Sequence, residues 1–200
     1  MNKTLLAMTL ASMVAATLVR AQLVNGDLGI TGFSSAQFVV LHANGTSTVY
    51  PTTNFGGTSH AILYDPTNPG SFLIGGTGFL GRVTVAGASA FYVPTTNAIG
   101  TVAQMTFAGS ELIVCDSGND QMVRVHPVTG VVTPITSGVQ PWGVDLNASC
   151  LDPFTGDIYA GGLNGIWRIP SGSSTPIAFA SGWTAGSSIA LAAAISASPC

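Results

Sequence analysis

The side chains of this 200-residue chain that can move protons, hold a metal or offer a thiol are three histidines, eight acidic residues and three cysteines. A metal-assisted centre would require several of them to converge on one place. The histidines are His42, His60 and His126, and the carboxylates beside turns or apolar runs include Asp116, Asp120 and Asp145. Glu111 is the only glutamate, which excludes an acid and base pair made of two glutamates. Cys115 lies next to Asp116 with no adjacent cation to stabilise a thiolate, so it reads as a small buried hydrophobe. The cysteine count is odd and low, so the fold is not stapled by disulfides.

Composition bounds the partners. With 46% hydrophobic and 6% charged residues, the chain can fill a core. Its start, Asn2-Lys3 followed by the uncharged apolar run Leu5 to Val19 and small residues near Ala21, reads as a secretory signal peptide over residues 1–21. The run is shorter than the roughly 20 apolar residues that span a bilayer. Removal of this segment leaves Arg82, Arg124 and Arg168 as the basic residues, against all eight acidic ones. Such a surface cannot neutralise a run of phosphates, and neither nucleic acid nor a membrane span of the mature chain is expected. The expected location is secreted, periplasmic or extracellular. Two sequons, Asn44-Gly45-Thr46 and Asn147-Ala148-Ser149, would accept a glycan in a eukaryotic secretory path.

The elements that would position these residues repeat. Tyr50 to Asn54 (YPTTN) returns as Val93 to Asn97 (VPTTN), each followed by a Gly-Thr pair, Gly57-Thr58 and Gly100-Thr101. Asp65 to Gly76 (DPTNPGSFLIGG) returns as Asp152 to Gly162 (DPFTGDIYAGG), and Arg82, Arg124 and Arg168 share one repeat position. Each copy divides into four short strands joined by turns. The expected strands are Ser59–Tyr64, Ser71–Ile74, Leu80–Val85 and Ala90–Pro94 in the first full copy. They are Val102–Phe107, Glu111–Cys115, Gln121–His126 and Val131–Thr136 in the second, and Trp142–Leu146, Asp157–Ala160, Gly165–Pro170 and Ile177–Ser181 in the third. Asp65-Pro66 and Asp152-Pro153 read as turn starters.

Four strands in every 40 to 45 residues is the period of a β-propeller blade. The expected fold is therefore all-β, with four-stranded antiparallel blades over about 57–97, 98–137 and 138–181. Flanking part-blades are expected over 34–54, where Phe38–His42 and Thr46–Tyr50 would be two outer strands, and over 183–195. The chain would close as a small ring completed by its N-terminal strands, or form the first part of a longer propeller. Its ending in ISASPC, without a closing strand, favours the second.

The stretch IVCDSGNDQMVRVHPVTG, Ile113 to Gly130, resembles the NHL repeat at Val114, Asp116, Gly118, Asn119, Val123 and Val125. The following copy is similar also to streptogramin-lyase-like and gluconolactonase-like propellers. The likeness covers Ser34 to Trp183 at blade level, and the Asp and Asn turn is present once; the other copies read GGTGFLGRV and GGLNGIWRI there.

In such a propeller, ligands enter where the inner strands begin. Asp116, Asn119, Trp142, Trp183 and His60 are the candidate ligand-binding residues, and Asp116, Asp145 and His60 the candidates for a metal. The bland reading of Asp116 is an Asx-type turn, and that of the arginine row is a stem over apolar surface with its head in water. His42 and His126 would end third strands at the opposite end, a strand's length of roughly 17 Å from His60. Cys115 and Cys150 are likewise separated, and a bridge needs Cα atoms within about 7 Å. The reading is an exported binding protein for a protein or surface carbohydrate, with no catalytic residues and no cofactor. Two alternatives stand beside it: a lactonase- or lyase-type enzyme using calcium or zinc, and a structural surface protein.

Overall fold

The computed structural model describes residues 27–31, 37–51, 55–85, 89–91, 99–126, 129–136, 141–142, 146–163 and 165–181. Among them the regular elements are strands, arranged in four antiparallel sheets. The first sheet holds β1 (Leu28–Thr31), β2 (Gln37–Leu41) and β3 (Ser47–Pro51). The second holds β4 (Ser59–Tyr64), β5 (Ser71–Gly76), β6 (Phe79–Thr84) and β7 (Ser89–Phe91). In the third are β8 (Val102–Ala108), β9 (Glu111–Asp116), β10 (Gln121–Val125) and β11 (Val132–Pro134). The fourth is made of β12 (Ala148–Leu151), β13 (Ile158–Gly162), β14 (Gly165–Ile169) and β15 (Ile177–Ala180). Within each sheet the neighbours are consecutive in sequence, so every blade is a meander. The signal peptide and the part-blade expected at 183–195 fall outside the described residues.

Short apolar strands suffice because the middle sheets bury both faces. Along β5, Phe72 and Ile74 pack toward the first sheet and Leu73 toward the third. Along β9, Leu112 and Val114 face back to the second sheet, while Ile113 and Cys115 face forward to the fourth. Three apolar clusters therefore occupy the three gaps between four sheets. Each fully buried Leu or Ile in them contributes about 2 kcal/mol by leaving water.

Turn chemistry closes the end at which inner strands finish. Asp65 Oδ1 accepts the Thr67 N–H at 3.0 Å and the Thr67 hydroxyl at 2.6 Å, and Gly70 completes the turn at φ 84°. In the fourth sheet Asp152 accepts the Phe154 N–H at 2.9 Å and the Thr155 hydroxyl at 2.8 Å.

Two local expectations are corrected. The inner strand expected at Trp142–Leu146 begins instead at Ala148, and Trp142 stands in a turn. Trp142 and Leu146 are apolar because they plug the gap between the third and fourth sheets, which imitates a strand signal. The N-terminal sheet also has a third strand, β1, beyond the two expected. Gly29 obscured it: a Cβ there would lie 2.9 Å from Ile62 Cδ1 and 3.1 Å from Phe72 Cε1, so the strand carries glycine where the next blade presses on it.

Candidate functional site

The face where inner strands begin is assembled from loops of three blades, and backbone contacts fix them to one another. The repeated Gly-Thr pairs explain how. Gly57 and Gly100 each precede the first inner-strand residues, and a Cβ would meet Thr77 O at 2.5 Å in the first case and the Gly118 backbone at 2.9 Å in the second. Glycine lets the turn between the second and third strands settle onto the loop that enters the blade. Thr77 N–H then donates to Thr58 O at 3.1 Å, and Ser117 N–H to Thr101 O at 2.8 Å, the same contact in successive blades. Gly78 N–H reaches across to Gly100 O at 2.6 Å and joins the two blades.

Asp116 is the hub of this rim. Its carboxylate is fully buried and accepts the backbone N–H of Gly100 at 3.0 Å and of Thr101 at 2.9 Å. The amides of Asn119 and Gln121 donate to it at 2.8 and 3.2 Å. These backbone donors belong to the loop entering the blade, not to the Asp116 turn itself, so the expected Asx-type turn is replaced by a clamp across the sheet. Four donors occupy the lone pairs of both oxygens, and this carboxylate does not fit the role of a metal ligand.

The chain of contacts continues to the fourth sheet. Asp120 adopts φ 49°, and its carbonyl accepts the Trp142 indole N–H at 2.7 Å. Trp142 is fully buried and meets Trp167 edge-on at 6.4 Å between centroids. It supports the rim from below and offers no face to a ligand. Asp145 and Trp183 lie outside the described residues.

His60 sits near the start of β4, with Nε2 at 3.1 Å from the Thr58 hydroxyl and 3.0 Å from that of Thr77. Partial burial lowers its pKa below the ordinary histidine value, which favours the neutral ring at neutral pH. The other two histidines are at the far end of the sheets. His42 Nδ1 lies 3.0 Å from Asp27 Oδ2, and His126 Nδ1 accepts the Thr129 N–H at 3.2 Å. Among the described residues, no three of His, Cys, Asp and Glu converge as a metal site.

The arginine row resolves into ion pairs. Arg124 contacts Glu111 at 2.7 Å and Arg168 contacts Asp157 at 2.6 Å, and both acids stand two residues before the residue paired with the arginine. Ser71 occupies that position in the second sheet, and Arg82 turns instead to Asp65, at 2.7 Å. The guanidinium groups thus close their own blades. Cys115 and Cys150 are both free thiols, each with its pKa pushed up by burial. The Cys115 thiol donates to Leu146 O at 3.2 Å.

Thr58, Thr77 and Thr101 lie in loops that the blade pattern puts at this end, yet neither they nor Gln121 are among the candidate ligand-binding residues. The signal for two of them was present in the repeated Gly-Thr pair. Among the described residues, those open to solvent on this rim include Thr77, Gly78, Gly118 and Asn119, which present hydroxyl, amide and backbone groups.

No protein-family model and no curated protein sequence matches the chain. Solved structures do match. The nidogen–laminin complex superposes with a TM-score of 0.60 at 12% identity, over 76% of this chain and 61% of that one. Virginiamycin B lyase from Staphylococcus aureus, with quinupristin, gives 0.61 at 19% identity, over 78% and 52%. The extracellular domain of BT4673 from B. thetaiotaomicron gives 0.59 at 16%, over 78% and 21%. The matched structures are β-propellers, and at these identities the likeness establishes the fold. The chain spans about half the length of the lyase it matches.

Proposed function

We propose that this chain is an exported β-propeller binding module whose rim loops hold a protein or carbohydrate partner. The observation that carries the reading is a rim of exposed hydroxyl, amide and backbone groups held by a buried carboxylate. Asp116 locks two loops from beneath, and Thr77 and Asn119 are left at the surface to bond a polar ligand. Groups held in place by a buried clamp lose little entropy on binding. Nidogen in its laminin complex and an extracellular domain stand among the structural neighbours, in keeping with such a role. The test is binding of the purified protein to a glycan array and to extracellular proteins of its native culture, beside a Thr77→Val/Asn119→Ala variant. Loss of a specific signal in the folded variant is the expected result; equal binding by both proteins overturns the reading.

A second reading, a lyase, is favoured by the virginiamycin B lyase match and by one group on the rim. The neutral ring of His60 can accept a proton there. Conversion of quinupristin, followed by chromatography and abolished by His60→Ala, would establish it. No conversion by the folded protein would remove it.

A further inference from the structure

The two acceptor sequences for an N-linked glycan meet opposite treatment in the fold. Asn44-Gly45-Thr46 forms the tip of the hairpin that joins β2 to β3, beyond the paired residues Leu41 and Ser47. The tip is a tight turn: His42 N–H donates to Thr46 O at 2.8 Å, Gly45 N–H donates to His42 O at 2.8 Å, and Gly45 takes φ 83°. Asn44 Oδ1 accepts the Thr46 N–H at 2.9 Å and the Thr46 hydroxyl at 2.7 Å, so the acceptor sequence is itself an Asx turn.

This arrangement occupies the amide oxygen and leaves the amide nitrogen. Among the described residues Asn44 Nδ2 meets no acceptor, and residues 43–47 are all exposed. A Cβ built on Gly45 meets no atom within 4 Å, so the space around the tip is open. A bulky, hydrated substituent on Nδ2 fits there without displacing a contact.

The second sequence, Asn147-Ala148-Ser149, lies where the chain enters β12. Asn147 N–H donates to Gly161 O at 3.0 Å and Ser149 N–H to Gln104 Oε1 at 2.9 Å, which ties the segment to its own blade and to the third sheet. Ala148 and Ser149 are fully buried, and the Ser149 hydroxyl oxygen is out of reach of solvent. An enzyme that must read both the Asn amide and the hydroxyl two residues on can do so at Asn44 before and after the sheets form. At Asn147 it can do so only until β12 pairs with β13.

We propose that Asn44 is an N-glycosylation site of this chain in a eukaryotic secretory path, and that Asn147 is not. The donor is a lipid pyrophosphate-linked oligosaccharide. Nδ2 forms a bond to the anomeric carbon of the first sugar, and the bond from that carbon to the pyrophosphate oxygen breaks with its electron pair on the leaving lipid pyrophosphate. One amide proton passes to a base of the transferase. The glycan then stands at the end of the sheets that holds His42, a strand's length from the rim, and leaves Thr77 and Asn119 uncovered. A glycan on Asn147, at the start of an inner strand, would stand on the rim itself.

The test is expression of the full chain in cultured eukaryotic cells, with the protein compared by gel mobility and mass before and after peptide-N-glycosidase F. The expected result is a single glycan whose removal converts Asn44 to Asp in the peptide map. Asn44→Gln and Thr46→Ala should each lose the mobility shift, and Asn147→Gln should keep it. Both altered positions of the first sequence lie in an exposed turn, so unchanged circular dichroism of the variants separates loss of the glycan from loss of fold. A secreted chain with Asn44 unmodified overturns the proposal. So does a glycan on Asn147, or a chain that stays in the cell without a glycan.

Discussion

At the residue scale, the structure separates side chains that look alike in sequence. Asp116, Asp65 and Asp157 are all buried carboxylates, yet each is held by different donors. Replacing Asp116 with Ala strands the Gly100 and Thr101 N–H groups and is expected to cost about 3 kcal/mol, read from urea unfolding. Asn at that position keeps an acceptor and should cost less. The arginines give a second contrast. Arg124 and Glu111 are 37% and 41% exposed, so Arg124→Met should change stability by no more than about 0.5 kcal/mol. Asp65 is fully buried, and Arg82→Met leaves that carboxylate without its cation, at a cost of about 2 kcal/mol or more. The same urea experiment ranks the two; equal effects would contradict the burial argument. The Asp116 clamp was half legible in the sequence. Its turn could be read from Asp116 and Asn119, but its real donors lie on a loop that only the sheet brings alongside.

At the element scale, glycine and leucine positions report how closely the blades approach. A Cβ on Gly75 would fall 2.3 Å from Val102 Cγ1, across the gap to the next inner strand. Gly75→Ala is therefore expected to push the second and third sheets apart and destabilise by about 2 kcal/mol. The thermal midpoint should fall with the far-ultraviolet spectrum unchanged at low temperature. An unaltered midpoint would contradict so close an approach of β5 to β8. Strand assignment from sequence worked where a strand is buried on both faces, as in β9, because a continuous apolar run bounded by turn residues has few other meanings. It failed at β12, whose Ala148, Ser149 and Cys150 carry little strand character. There the apolar residues of the incoming loop supplied a false signal.

At the scale of the whole molecule, stability depends on acidic groups whose folded form favours the charged state. Backbone N–H donation from Ser171 to Asp157, with the Arg168 contact, holds its pKa below the ordinary carboxylate value. Donation from Phe154 and Thr155 does the same for Asp152. A depressed folded pKa means the unfolded chain takes up protons first as pH falls. The contribution is thus complete above the unfolded value of about 4 and is lost as pH drops through the folded one. Denaturation midpoints should therefore decline below about pH 4, and Asp157→Asn should flatten part of that decline. The blade was already legible in the residues, in its period, its turns, the paired glycines and the burial of alternate positions, because each follows from local dihedral preference and a repeated apolar pattern. Which donors hold Asp116, which acid each arginine takes and the inward turn of Trp142 came from the packing of one sheet on the next. Those outcomes join residues distant in the chain, and their partners are set by how one sheet lies on the next.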